Sequence, residues 1–143
     1  MNTDHRQLAH RLAYAGLIPF VVGCLLIWLV VHPEAHAFVS LALSAYAALV
    51  IAFLGGIQWG LSFARGLPSR QSLVWGVFAA LLGWLGVLML PYGGLALHGS
   101  VLIACYVIDR RLYPHLGAGD WLTLRFRLTA VAALSCFLAA AGS

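Results

Sequence analysis

The chain has 143 residues, of which 63% are hydrophobic and only 8% are charged, whereas a soluble globular domain carries about 25% charged residues. A soluble core of this size could not bury so much apolar surface, so the composition excludes water as the main solvent. The formal net charge of +4 comes from scattered arginines without a basic stripe, which argues against nucleic-acid binding. The chain is therefore predicted to be an integral membrane protein with a single transmembrane domain.

Five apolar runs are predicted to cross the roughly 30 Å hydrocarbon core of a bilayer as helices. The first run is longer than the apolar stretch of about 7–15 residues in a signal peptide, so it is predicted to remain in the protein as a helix and not to be cleaved. Four of the five prolines fall in the short connections, so sequential helices are expected to be antiparallel neighbours. The predicted fold is all-α, a polytopic membrane protein built as a compact up-and-down bundle of five transmembrane helices. Their predicted ranges are 12–31, 37–64, 73–90, 95–111 and 121–141.

The arginines predict the orientation of the bundle. If the five helices alternate in direction, all eight basic residues fall on one side of the membrane, and positive residues favour the cytoplasmic side. The N-terminus is therefore predicted inside and the C-terminus outside. The fourth run is the weakest, but without it two arginines would lie opposite the other six. The eight residues are Arg6, Arg11, Arg65, Arg70, Arg110, Arg111, Arg125 and Arg127.

The side chains that often bind metals or cofactors lack the spacing typical of such sites. The three cysteines lie within apolar runs, have no C-x-x-C spacing and are predicted to be buried thiols. The six histidines lie near predicted helix ends and are interpreted as interfacial, so neither a metal nor a cofactor is expected. These residues are Cys24, Cys105, Cys136, His5, His10, His32, His36, His98 and His115.

The second run carries a small residue at every fourth position, a spacing that lets another helix approach closely. Packing within the chain and a homodimer seam both explain the pattern. The stripe consists of Ser40, Ser44, Ala48, Ala52, Gly56, Gly60 and Ala64.

The inner end of that run is its most unusual stretch. Gly55, Gly56 and Gly60 weaken the helix and allow a helix, a lipid or a ligand to approach. Gln58 is a strongly polar side chain in an apolar run and needs a hydrogen-bond partner if it is buried. Trp59 is typical of an interfacial anchor. Packing with anchoring, and a ligand or partner site, are both open interpretations.

The last run contains Arg125 and Arg127, and the 14 uncharged residues that follow them span only about 21 Å. That length is too short for the hydrocarbon core, so the arginines are expected inside the inner interface. Asp109 is expected to pair with one of them near Gln58, while the other, about 200° around the helix, points elsewhere. A buried salt bridge and a cationic pocket for an anionic lipid head group or polar ligand both fit. Asp120 is predicted to be the N-cap.

Four stretches carry a family resemblance: LAYAGLIPF at 12–20, GGIQWG at 55–60, DRRL at 109–112 and LRFRLT at 124–129. They resemble a domain-of-unknown-function family of small five-helix bacterial inner-membrane proteins, which also includes the mitochondrial transmembrane protein 69. Family members often carry histidine where this chain has Gln58, and glutamine is a poor metal or haem ligand. The resemblance implies a location in a bacterial inner membrane but no established activity. It does imply that the polar residues of these stretches form one set: Tyr14, Gln58, Trp59, Asp109, Arg110, Arg125 and Arg127.

The topology brings this set and the three glycines toward the cytoplasmic ends of the helices, where they are predicted to form a patch for a ligand, lipid or partner. The expected function is a non-enzymatic accessory, assembly or lipid-binding module. Its expected partners are membrane lipids, another inner-membrane protein or a second copy of the chain. One alternative is a small transporter or channel, although the mid-membrane stretches lack acids. Another is a membrane enzyme acting on a quinone or lipid, with Asp109 as a proton carrier.

Overall fold

The computed structural model describes residues 3–30, 32–66, 70–114 and 118–143. Over these ranges the chain is all-α, and five helical segments are long and apolar enough to cross a membrane, as predicted. Val31, Pro68 and His115, which the sequence analysis placed in or beside the helices, lie outside the described residues. The elements are α1 (Thr3–Ala15), α2 (Ile18–Leu29), α3 (Pro33–Arg65), α4 (Arg70–Leu88), α5 (Pro91–Leu112), a 3₁₀ turn (Gly119–Trp121) and α6 (Leu122–Gly142).

The first spanning segment is two helices, α1 and α2, rather than the single helix predicted at 12–31. Pro19 explains the break because it has no N–H to donate to the Ala15 carbonyl, and its ring crowds that carbonyl. The Tyr46 hydroxyl of α3 donates to the Gly16 carbonyl oxygen at 2.7 Å and so provides a partner for the backbone at the break. No residue of α1 is buried, so the tight part of the bundle begins with α2.

Two helices begin at prolines that the sequence analysis placed in connections. α3 starts at Pro33 and α5 at Pro91, each four residues earlier than predicted. Proline is favoured in the first turn because its missing N–H would be unpaired there anyway and its φ angle is already helical. Only Met89 and Leu90 separate α4 from α5, so these two helices turn back on each other at once.

Sequential helices pack as antiparallel neighbours, and α6 also packs on α2, which closes the bundle. The α3–α4 contact is closest at Gly55, where an added Cβ would lie 2.6 Å from the Gly76 carbonyl oxygen. Gly83 faces Ala48 farther along the same contact. The three cysteines are free thiols within a buried core. That core includes Phe20, Cys24, Ile27, Ile51, Leu102, Cys105 and Cys136.

The small-residue stripe of α3 lies in two environments because a four-residue step overshoots the helical repeat of about 3.6 residues. Ser40 and Ser44 are buried, whereas a Cβ added to Gly56 or Gly60 would meet no described atom within 4 Å. Packing within the chain therefore accounts for the start of the stripe. Near its end, Gly55, which is outside the stripe, makes the close contact with α4. The homodimer seam stays a prediction.

His98 is a core residue rather than the interfacial histidine that was expected, and it is fully buried. Its Nε2 lies 2.9 Å from the Gly83 carbonyl oxygen, and its Nδ1 lies 3.3 Å from Ser44 Oγ. Because a carbonyl only accepts, Nε2 carries the proton and the Ser44 hydroxyl donates to Nδ1. The early start of α5 at Pro91 explains the difference, since it places this ring about two turns inside the helix.

Asp120 does not cap α6, contrary to expectation. It is an exposed residue within the 3₁₀ turn, and Trp121 stands at the N-cap position without a side-chain cap hydrogen bond. An N-cap residue normally has extended backbone geometry, whereas here the turn runs directly into the helix. The 3₁₀ turn at Gly119–Trp121 therefore leads directly into α6, without a capped start.

Candidate functional site

A buried ion pair lies where the end of α5 meets the start of α6. Asp109 is 1% exposed and Arg125 is 6% exposed, and Arg125 Nη1 donates to Asp109 Oδ2 at 2.5 Å. The short connection between the two helices brings these turns side by side. The predicted pairing of Asp109 with one of the two arginines is confirmed. Burying such a pair is favourable only when the remaining polar atoms of both groups also find partners.

Gln58 of α3 contacts this pair from a third helix. It is fully buried, and its Nε2 donates to Asp109 Oδ1. This contact explains why an amide interrupts the apolar run of α3 and confirms that Gln58 lies close to Asp109. Because the carboxylate accepts, the amide nitrogen must face it, and Gln58 Oε1 is left without a hydrogen-bond partner among the described residues.

Tyr113 belongs to the same cluster, and the sequence analysis missed it. Arg125 Nη1 donates to its hydroxyl oxygen at 2.7 Å, and the guanidinium carbon lies 5.6 Å from the ring centroid. Tyr113 lies just past α5, where burial raises the pKa of its hydroxyl, so the group stays protonated at neutral pH. The available signal was its position four residues after Asp109, one turn farther along the same face.

We call Gln58, Asp109, Tyr113 and Arg125 the buried polar cluster. Beside it, between the first span, α3 and α6, lies a cavity of about 680 Å³ with a mostly apolar wall. This volume is within the range of about 300–1,000 Å³ that is typical of small-molecule sites. Arg125 lines the cavity, and its buried Nη2 has no hydrogen-bond partner in the described part of the chain.

The cavity opens on the side of the bundle that faces lipid. Leu49 and Phe53 of α3 line it, yet their exposed fractions are 69% and 70%. Residues that both line a cavity and face outward mark its opening. We therefore call it the lateral cavity.

α1 forms one wall of the lateral cavity through residues that include Ala9 and Ala13. Its contact with the rest of the bundle includes two side chains one turn apart that pack on Trp121. The guanidinium carbon of Arg6 lies 5.5 Å from that ring centroid, within cation–π distance. The His10 and Trp121 ring centroids are 5.6 Å apart. These two contacts lie toward the N-terminal end of α1.

The other predicted site residues lie outside the buried polar cluster. Trp59 donates from Nε1 to the Leu73 carbonyl oxygen at 2.9 Å and so faces α4. Adjacent residues of a helix point about 100° apart, which explains why Trp59 and its neighbour in the cluster diverge. Tyr14 and Arg127 contact each other at the surface, with 3.4 Å from Arg127 Nη1 to the Tyr14 hydroxyl oxygen. Arg110 is exposed.

The chemistry available at the site is hydrogen bonding rather than metal coordination. Within residues 3–30, 32–66, 70–114 and 118–143, no group of three or more His, Cys, Asp or Glu side chains is arranged to hold a metal ion. The wall of the lateral cavity instead offers a guanidinium group and the hydroxyl-bearing Tyr113 and Thr129. Such groups recognise a polar head on an otherwise apolar ligand.

Comparison with known proteins identifies a family without an assigned activity. The family described as "Protein of unknown function (DUF3429)" matches residues 5–141. The curated Transmembrane protein 69 of Xenopus tropicalis is 38% identical over 90 residues, which cover 59% of this chain and 34% of that protein. The chain thus spans about a third of that relative's length. No solved structure matches at a significant level. The chain belongs to the DUF3429 family.

Proposed function

We propose that this protein is a lipid-binding membrane module that admits an amphiphilic ligand sideways from the bilayer into the lateral cavity. The observation that carries the proposal is a mostly apolar cavity lined by Arg125, whose buried Nη2 has no hydrogen-bond partner in the described part of the chain. Buried polar atoms in folded proteins nearly always have hydrogen-bond partners. A polar atom of a bound ligand would supply the missing partner. This is the lipid-binding form of the accessory role expected from the sequence.

The shape of the cavity supports lateral access. Its opening beside Leu49 and Phe53 faces the lipid side of the bundle, so a bilayer-soluble molecule reaches it without crossing water. The apolar wall suits a hydrocarbon chain, because burying each CH₂ contributes about 0.8 kcal/mol. Arg125 and Tyr113, the two residues of the buried polar cluster that line the cavity, then meet the head group.

A bulky side chain in the cavity tests this proposal. We expect Ala13→Trp to reduce the lipid that copurifies with the protein in mild detergent by about tenfold, which corresponds to a loss of about 1.4 kcal/mol. The reason is that Ala13 lines the cavity, and α1 has no buried residue whose packing the change would disturb. The measurement is mass spectrometry of extracted lipids per mole of protein.

The matched control is Ala15→Trp, which places the same side chain on the same helix at an exposed position outside the cavity lining. This variant is expected to carry as much lipid as the unmodified protein. Equal lipid in the Ala13→Trp and Ala15→Trp proteins would contradict the proposal. So would an unmodified protein that carries no tightly bound lipid.

We further propose that the protein lies in a bacterial inner membrane, as the family resemblance implies, with its N-terminus in the cytoplasm, as the arginine distribution predicts. A membrane-impermeant maleimide applied to intact spheroplasts is expected to label Glu34→Cys and not Arg70→Cys. Both positions are exposed, while the three native cysteines are buried. Labelling of Arg70→Cys from outside, without permeabilisation, would reverse the orientation.

A further inference from the structure

We infer that the ligand of the lateral cavity has an uncharged head group with a carbonyl oxygen, the chemistry of a lipid-soluble quinone. This inference rests on the proposed function and names the class of ligand that the site selects. It depends on three features of the cavity: its net charge, the direction of the hydrogen bond that Arg125 Nη2 lacks and the rings in its wall. Gln58 Oε1 also lacks a partner among the described residues, but Gln58 does not line the cavity.

The net charge of the site excludes a charged head group. The guanidinium of Arg125 is already neutralised by Asp109, in direct contact at 2.5 Å. No other Asp, Glu, Lys or Arg is among the described residues that line the cavity. An anionic head would therefore bring an uncompensated charge into a site of low polarity, which is strongly unfavourable. The same argument applies to a cationic head.

The missing hydrogen bond requires an acceptor from the ligand. A guanidinium group has only N–H donors and no acceptor, so the unpartnered Arg125 Nη2 calls for an oxygen. Tyr113 already accepts from Nη1 of the same group, and its own O–H donates to the Asp109 carboxylate. A carbonyl oxygen accepts hydrogen bonds without adding charge and meets the requirement of Nη2.

The wall of the cavity suits a flat ring on an apolar tail. Aromatic side chains line it from several directions, and two of them, Phe20 and Tyr46, are in edge-to-face contact with centroids 5.1 Å apart. Aromatic rings pack favourably against other planar π systems in offset or edge arrangements. A diacyl phospholipid always carries a phosphate, so it fits this site less well than a quinone does.

Three probes with the same decyl chain test the inference: a decyl-substituted benzoquinone, decyl phosphate and decyltrimethylammonium. Binding is measured by titration calorimetry to the full-length protein in phosphatidylcholine nanodiscs, after subtraction of partitioning into empty nanodiscs. We expect the quinone to bind about tenfold more tightly than either charged probe at neutral pH. Ala13→Trp is expected to weaken binding of the quinone, and Ala15→Trp is not.

The second part of the experiment changes the charge of the site. Asp109→Asn leaves the Arg125 charge uncompensated, so decyl phosphate is expected to gain about tenfold in affinity and to bind about as tightly as the quinone. The control Arg127→Gln removes an exposed arginine outside the cluster and is expected to preserve the order of the unmodified protein. If Asp109→Asn fails to fold, the order for the unmodified protein decides alone.

The outcomes distinguish the chemistry of the head group from the binding of an amphiphilic ligand itself. In one outcome, the unmodified protein binds decyl phosphate or decyltrimethylammonium more tightly than the quinone, and Ala13→Trp still blocks that binding. This outcome would overturn the inference of an uncharged head group and leave the proposed lipid binding in place. Binding of none of the three probes above the empty-nanodisc baseline would contradict the proposed function itself. If Ala13→Trp leaves the preference for the quinone unchanged, the quinone binds outside the lateral cavity and the inference is overturned.

Discussion

Asp109→Asn is expected to lower the free energy of unfolding by about 3–5 kcal/mol, because it leaves the Arg125 charge buried without its counter-ion. Arg125 is only 6% exposed, so water cannot readily take the place of the carboxylate. The measurement is reversible unfolding of the purified protein in mixed micelles of mild detergent and dodecyl sulfate.

The control for this variant is Asp120→Asn, which makes the same chemical change at an exposed acid and should alter stability by no more than about 0.5 kcal/mol. The double variant Asp109→Asn with Arg125→Met removes both charges together. It is expected to be more stable than either single variant, since each single variant leaves an unpaired buried charge and the double variant leaves none. Additive losses in the double variant would show that the two groups act separately.

Gly86→Ala is the second change with a large expected effect. An added Cβ would lie 2.3 Å from His98 Nε2 and 2.7 Å from its Cδ2, far inside van der Waals contact. The ring cannot move aside without losing its bonds to Gly83 and Ser44. Overpacking of this kind costs about 1–3 kcal/mol, and an unsatisfied buried imidazole adds to the loss. Thermal denaturation monitored by circular dichroism measures the effect.

Gly56→Ala is the matched control, because the same methyl group would meet no described atom within 4 Å. Replacing an exposed glycine inside a helix with alanine is expected to stabilise the protein by about 0.5–1 kcal/mol. A loss of stability at this position would instead reveal a neighbour that the isolated chain lacks, such as a second copy on the predicted seam. Similar melting temperatures for the two alanine variants would contradict the account given for His98.

The number of spanning segments was predictable because the thickness of the bilayer sets the length of each apolar run. Their ends were less predictable, because proline has opposite meanings in two places. At Pro33 and Pro91 it begins a helix, whereas Pro19 interrupts one. Which of these occurs depends on what packs nearby, and here Tyr46 provides the partner at the break.

The buried ion pair was predictable from the scarcity of acids, since Asp109 was placed at the correct end of the bundle to pair with an arginine. The choice of Arg125 over Arg127 depends on the rotation of α6 about its axis, which neighbouring helices set. Tyr113 was missed because tyrosine is common at membrane interfaces. The lateral cavity depends on the angle at which α1 leaves α2, and no sequence pattern encodes that angle.

The break between α1 and α2 has a consequence for local stability. α1 has no buried residue, and the interrupted backbone lets it unfold locally without α2. The free energy of opening that governs hydrogen exchange should therefore be much lower for the amides of α1 than for those of α2. A ligand against Ala9 and Ala13 would add contacts that exist only while α1 is in place, and so protect these amides in proportion to occupancy. Amide exchange in α1, the segment that carries Arg6, would then show from the water-facing surface whether a bilayer-soluble molecule is bound in the lateral cavity.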